Sequence, residues 1–264
     1  MRKNLLKEIW ASGRPVLNGW LGVNSTHSAE VMSHIGFDAL TVDLQHGALD
    51  YSSAFPMITA INTTSVVPLA RPVALDPPQI MKLLDAGAYG IICPMIDTPE
   101  QARQLVDACR YPPIGQRSFG PTRSAMAQGP GYTTDGANGE VVVLGQVETP
   151  TSLANLDAIL ATTGLDGVYV GPSDLTLSMG LGVDGDSRHP RFIETLNHVV
   201  ARCRAAGKHI GMHCASGDQA RRMAEMGFDF ITVGSDTGLM NEAGRSRLAL
   251  VRQAQQPTGK GSAY

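Results

Sequence analysis

The chain has 264 residues, 43% of them hydrophobic, and a formal net charge of −3 with Lys and Arg scattered along it. That is enough apolar matter for one sizeable core and the right length for a single α/β barrel. No basic stripe marks a nucleic-acid partner, no acidic tail marks a solvating segment, and no apolar run is long enough to span a membrane.

The first ten residues, MRKNLLKEIW, carry charges on both sides of their apolar positions and read as an amphipathic helix rather than a signal peptide. Strand-length apolar runs then alternate with helical patterns. Strands are predicted at 16–21 (VLNGWL), 39–44 (ALTVDL), 66–71 (VVPLAR), 89–94 (YGIICP), 141–147 (VVVLGQV), 167–171 (GVYVG), 209–214 (HIGMHC) and 229–234 (DFITVG). HSAEVMSHIG, PPQIMKLLDAG, TPEQARQLVDACR and SGDQARRMAEMG have helical spacing. Gly36, Gly87, Gly207 and Gly227 sit where helices should end. Eight such units predict a (β/α)₈ TIM barrel, one domain over 1–255, with QPTGKGSAY (256–264) as a loose tail. The competing doubly wound sheet lacks a Gly-x-Gly-x-x-Gly turn after its first strand. Residues 111–140 are rich in Gly and Pro and are expected to form a long loop over the carboxyl face of the barrel. Cys93, Cys109, Cys203 and Cys214 have no close paired spacing, so reduced thiols and a cytoplasmic setting are expected.

Barrel active sites are built at the carboxyl ends of the strands. Asp43, Gln45 and His46 follow the second strand, Arg71 ends the third, Gln146 and Glu148 end the fifth, Ser173 and Asp174 follow the sixth, and His213 ends the seventh. Each has a bland reading: Arg71 as an ion-pair partner, Asp174 as a helix N-cap, His213 as packing. Thr149 and Ser152 suffice to cap the helix after strand five, which leaves Glu148 free for chemistry. His27, His34, His189 and His198 read as surface or capping residues, and His209 begins a strand at the opposite, stability face. Two carboxylates from adjacent strands, Glu148 and Asp174, suit a hard divalent cation such as Mg²⁺ or Mn²⁺, with Co²⁺ compatible. Such an ion would polarise a 2-oxo acid, Arg71 would share the developing negative charge, and His46 would handle protons. No lysine sits at a strand end: Lys82 is in a helix and Lys208 precedes strand seven, so imine chemistry is disfavoured.

These motifs give the chain a resemblance to a known family. WLGVNSTHSAEVMSHIGFDALTVDLQHG, LLDAGAYGIICPMIDTPEQAR, GQVETPTSLANLDAIL, GVYVGPSDLTLSMG and GFDFITVGSDTGLM occur in one register, from about residue 4 to 250. They resemble the HpcH/HpaI family of metal-dependent pyruvate aldolases. The resemblance implies a barrel whose last helix is exchanged between subunits of a homo-hexamer built as a trimer of dimers. It implies cleavage of a 4-hydroxy-2-oxo acid, such as 4-hydroxy-2-oxoheptanedioate, to pyruvate and an aldehyde, in aromatic-compound catabolism. Metal ligands match Glu148 and Asp174, the catalytic histidine matches His46 and the substrate arginine Arg71. The acid partnering the histidine, which in the family can come from a neighbouring subunit, matches Asp85. Gln146 and Trp20 match site-lining residues, the backbone at Ser173 and Asp174 matches the seat of the pyruvate carboxylate, and Asp43 matches an acid near the histidine. Two departures stand out. Gln45 replaces a common Glu, which removes a charge beside His46. His213 stands where relatives often carry an aliphatic residue near the substrate tail, pointing to a more polar aldehyde acceptor or a different second substrate. An acyl-CoA thioester lyase of the citrate lyase β-subunit type, or a carboxylate-binding barrel without catalysis, are the alternatives.

Overall fold

A computed structural model describes residues 1–254, so the predicted tail lies outside the described residues. Eight parallel strands, β1 (Val16–Leu21), β2 (Ala39–Asp43), β3 (Val67–Arg71), β4 (Gly90–Cys93), β5 (Val142–Val147), β6 (Gly167–Val170), β7 (His209–His213) and β8 (Phe230–Ser235), pair in chain order. β8 returns to β1 and closes the barrel. The helices are α1 (Leu5–Ala11), α2 (Thr26–Ser33), α3 (Tyr51–Ile61), α4 (Pro77–Asp85), α5 (Pro99–Cys109), α6 (Ser124–Ala127), α7 (Thr134–Glu140), α8 (Pro150–Ala154), α9 (Leu156–Leu160), α10 (Pro172–Ser178), α11 (Pro190–Ala205), α12 (Gly217–Met226) and α13 (Asp236–Ala254). All eight predicted strands are present, with ends shifted by a residue at most. Every residue of β2 to β6 is buried, as parallel strands covered by helices on one side and filled on the other must be.

The predicted helix-ending glycines all take positive φ. At Gly227 the requirement is twofold: φ is +112°, and the place of a Cβ is already filled by the Arg204 guanidinium. Inside the barrel a polar layer floors the carboxyl-end mouth. The Asn18 side-chain amide lies 2.9 Å from Thr232 Oγ1 and 3.1 Å from Thr41 Oγ1, and the Tyr169 hydroxyl is 2.7 Å from Thr232 Oγ1. All four groups are buried and partnered, which makes the layer affordable in a dry core.

Residues 111–140 depart from expectation twice. They contain α6 and α7, and they pack at the amino-terminal end of the barrel, not over the carboxyl face. The Met1 amino group donates to Pro130 O at 2.8 Å, Asn4 Nδ2 to Glu140 O at 2.8 Å, and Arg110 Nη1 to Val141 O at 2.7 Å. The reason is connectivity. The segment follows α5, which has already carried the chain back from the end of β4 to the barrel's amino end. At the other extreme, α13 is exposed from Asn241 through Arg252, its outer length uncovered by its own barrel. Among the described residues no helix is long and apolar enough to cross a membrane.

Candidate active site

The turn after β2 is built around Asp43. Its Oδ1 accepts from Gln45 N at 3.0 Å and from His46 N at 3.4 Å, folding the chain back at once. Gly47 completes the turn because a Cβ there would fall 2.2 Å from Asp43 O. The same carboxylate takes a two-pronged ion pair from Arg71, Nε to Oδ1 and Nη2 to Oδ2, both at 2.7 Å. Burial pushes the Asp43 carboxyl up, but Arg71 outweighs it, with smaller help from Trp20 and the His46 N–H, and holds it below its ordinary value. Asp43 is therefore an ionised anchor. It fixes the Arg71 plane, which lies 4.8 Å over the Trp20 ring, and leaves Arg71 Nη1 without a partner among the described residues. His46 stands exposed at the mouth.

Glu148 is only 2% exposed. Its Oε1 accepts from Met95 N at 2.9 Å and its Oε2 from Gln146 Nε2. Met95 has φ +56°, a region that non-glycine residues seldom adopt, and the strain serves to aim that N–H. Below, a capping box of Thr149 and Ser152 starts α8, as the sequence suggested, and Ser152 Oγ also accepts from Glu148 N at 3.1 Å. Burial pushes the Glu148 carboxyl above its ordinary value; the two hydrogen bonds oppose this and the charge of Asp174 adds to it. Asp174 does not cap α10. The N-cap is Gly171, and Asp174 occupies the third helical position, exposed, with no hydrogen bond among the described residues. Gly171 has its own reason: a Cβ there would fall 2.2 Å from Glu148 Oε2 and 2.6 Å from Gln146 Nε2.

These residues surround a cavity of about 200 Å³ lined by Trp20, His46, Arg71, Gln146, Tyr169, Gly171 to Asp174, and His213. The structure thus brings Trp20, His46, Arg71, Gln146, Ser173, Asp174 and His213 to one mouth, with Glu148 behind Gly171. It does not bring Asp85 there. Asp85 ends α4, which runs antiparallel to the strands, and so lies toward the barrel's amino end, where its Oδ1 accepts from Arg117 Nη2 at 2.7 Å. Met95, Tyr169 and Gly171 escaped the sequence reading. Tyr169 alone left a signal there, since its neighbours two residues either side alternate small and it precedes the polar turn. A larger groove of about 640 Å³ between α4 and α5 has its main charges, Arg103 and Asp107, paired with each other, and converges on nothing.

Among the described residues no cluster of three or more His, Cys, Asp or Glu forms a metal cage. A pair of carboxylates is nonetheless suited to a hard divalent ion that completes its shell with water and substrate oxygens. The local chemistry fits one. Glu148 is buried and repelled by Asp174, and Gln146 Oε1 is buried without a hydrogen-bond partner.

The HpcH/HpaI aldolase/citrate lyase profile matches residues 17–243. The chain is 41% identical to the hydroxypyruvate/pyruvate aldolase of Rhizorhabdus wittichii, over 94% of this chain and 99% of that one. It is 35% identical to the 4-hydroxy-2-oxo-heptane-1,7-dioate aldolase of Salmonella heidelberg, over 99% and 100% of the two chains. The crystal structure of an HpcH/HpaI aldolase/citrate lyase family protein from Burkholderia cenocepacia superposes with a TM-score of 0.88 at 31% identity, covering 95% of this chain and 99% of that one. Motif order, barrel and full-length similarity agree, and the chain belongs to the HpcH/HpaI aldolase/citrate lyase family.

Proposed function

We propose that this chain is a divalent-metal-dependent aldolase. It cleaves a 4-hydroxy-2-oxo acid to pyruvate, or a close analogue, and an aldehyde, and adds them in reverse. The observation that supports the reading is that Asp174 and Arg71 line one barrel mouth, with Glu148 buried behind Gly171 and close enough to feel the charge of both. A bound Mg²⁺, Mn²⁺ or Co²⁺, held by Glu148 and Asp174, would supply Lewis-acid polarisation of the 2-oxo group.

The chain's own residues do the rest. Backbone N–H groups at Ser173 and Asp174 receive the substrate carboxylate. Arg71, its plane fixed by Asp43, offers Nη1 to the 2-oxo oxygen. His46 takes the proton of the C4 hydroxyl. The C3–C4 bond breaks, its electron pair moves into the C2–C3 enolate, the aldehyde leaves, and a proton returns to C3. Asp85 orients His46 of a neighbouring subunit in a homo-hexamer. The four cysteines are free and buried, in keeping with a cytoplasmic setting.

An acyl-CoA thioester lyase fits less well, because among the described residues Arg71 is the only Lys or Arg lining the cavity, and two of its three nitrogens are taken by Asp43. A silent carboxylate-binding barrel would have no need of an exposed His46 beside the acids. The test is exchange of the pyruvate methyl protons with solvent deuterium, followed by NMR with Mg²⁺. Exchange is expected to stop with EDTA, to return with added metal, and to be absent in Glu148→Gln. Full exchange by chelated, metal-free protein would refute the mechanism.

A further inference from the structure

Within its own chain the His46 imidazole has no hydrogen-bond partner among the described residues; only its backbone N–H is held, by Asp43. The place from which it takes a proton therefore depends on the turn that carries it. Asp43 anchors the start of that turn through Gln45 N and His46 N. The far side leans on the segment after β1, where Ala48 N donates to Gly22 O at 3.1 Å. Gly47 packs there backbone to backbone, since a Cβ on it would fall 3.1 Å from Gly22 Cα. The two residues that follow His46 thus both rest on Gly22.

Gly22 is itself held by an acid that the aldol chemistry leaves unused. Asp236, the first residue of α13, is 2% exposed. Its carboxylate accepts from Gly22 N at 3.0 and 3.2 Å, from Val23 N at 3.0 Å and from Thr237 N at 2.7 Å. All its partners among the described residues are backbone N–H groups. A carboxylate buried without a cation is costly, so hydrogen bonds must hold it there. Capping α13 does not require it, because Ser235 Oγ already accepts from Gly238 N at 3.0 Å. What Asp236 alone does is tie the start of α13 to the turn after β1. We infer that Asp236 is a positioning residue for His46, acting through Gly22. The support runs from the carboxylate to Gly22, from Gly22 to Gly47 and Ala48, and from them to the imidazole.

Glu148, Ser173 and Asp174 follow β5 and β6, outside this line of support. Loss of Asp236 should therefore displace the base and leave the enolate-forming groups in place. That separation gives the role a signature that a general loss of stability would not reproduce.

The inference rests on the aldolase reading, and the experiment separates the two. Two rates are measured under saturating Mg²⁺. Cleavage of 4-hydroxy-2-oxoheptanedioate needs a base for the C4 hydroxyl. Decarboxylation of oxaloacetate reaches the pyruvate enolate by loss of CO₂ and has no hydroxyl to deprotonate. Asp236→Ala should lower kcat for cleavage about tenfold to a hundredfold, the scale of a displacement of about 1 Å, and leave its KM and the decarboxylation rate within about threefold. Asp236→Asn, which keeps one oxygen acceptor, should lose less. Ser235→Ala, which removes only the helix cap, should change neither rate. In a His46→Ala background, Asp236→Ala should cost no further cleavage, because the support has nothing left to place. Unchanged cleavage in Asp236→Ala, equal falls in both rates, a full additional loss in the double variant, or the same pattern from Ser235→Ala overturns the positioning role and leaves the aldolase standing. Should Asp236→Ala not assemble, Asp236→Asn decides by the same criteria. A wild type that neither cleaves nor decarboxylates overturns the aldolase reading, and the positioning role with it.

Discussion

Asp43 and Glu148 are both buried acids at the carboxyl ends of strands, and their surroundings drive them in opposite directions. Asp43, paired with Arg71, is held below its ordinary value despite burial. A carboxyl depressed in the folded state stabilises the fold above its unfolded pKa, and that contribution is lost as pH falls through the folded value. Removing one partner of a buried pair typically costs about 3–5 kcal/mol, so Asp43→Asn should lose about that much in urea unfolding at pH 7. Glu148 is raised, chiefly by burial. Its relative stabilisation is present at low pH and lost as pH rises through the folded value, because the buried anion then opposes folding. A divalent ion should relieve this. Mg²⁺ or Mn²⁺ is expected to raise the Tm of the wild type at pH 8 and to leave that of Glu148→Gln nearly still; an equal rise in both would remove Glu148 from the metal site. Arg71 and Glu148 were legible in the sequence because a charged side chain ending an apolar strand is conspicuous. Met95 was not, since its contribution is a backbone N–H aimed by a φ of +56°, which a methionine codon does not announce.

At the level of elements, the β6–α10 junction shows how backbone shape makes room for chemistry. The chain turns from Val170 into α10 at Gly171, and the acid on β5 lies against that turn. Gly171→Ala would put a methyl 2.2 Å from Glu148 Oε2, so either the carboxylate or the start of α10, with Ser173 and Asp174, must move. A displacement of about 1 Å can cost about 10²-fold in rate. The variant should keep its circular dichroism and lose aldol activity on that scale, with a weakened Mg²⁺ response in Tm; wild-type activity would mean that the turn is not a support for Glu148. The strands themselves were readable because parallel, doubly covered β-structure needs continuous apolar runs. Residues 111–140 differ from the expectation for another reason. Their Gly and Pro content does signal irregular chain, but which barrel face they cover depends on whether a strand or a helix comes before. α5, complete through Cys109, returns the chain to the amino end before the segment begins.

At the scale of the whole molecule, Asp85 and His46 lie toward opposite ends of the barrel. His46 stands at the carboxyl-end mouth, whereas Asp85 sits at the far end of α4. Arg117, 2% exposed and stacked 4.5 Å over Tyr111, holds Asp85 Oδ1 at 2.7 Å and so fixes the direction of the other oxygen. Asp85 does not line the cavity that His46 lines, so if the two act together they do so between chains. The exposed length of α13, with Leu248 at 54%, Leu250 at 66% and Val251 at 59%, supplies apolar surface for such contact. Mixing His46→Ala with Asp85→Ala tests this directly. Each homo-oligomer alone should be inactive in cleavage, since every site lacks one member. In a hybrid, a site with His46 from an Asp85→Ala chain can receive Asp85 from a His46→Ala neighbour. Random equal mixing makes about one quarter of all sites complete in a symmetric assembly of this kind. Co-refolded mixtures, with hybrid content read by native mass spectrometry, should therefore recover about a quarter of wild-type turnover. Arg117→Ala in the chain that donates Asp85 should reduce the recovery, because the carboxylate loses its support. Hybrids that form and stay inactive would take Asp85 out of the reaction and leave its bond to Arg117 as a brace between α4 and the segment that follows α5.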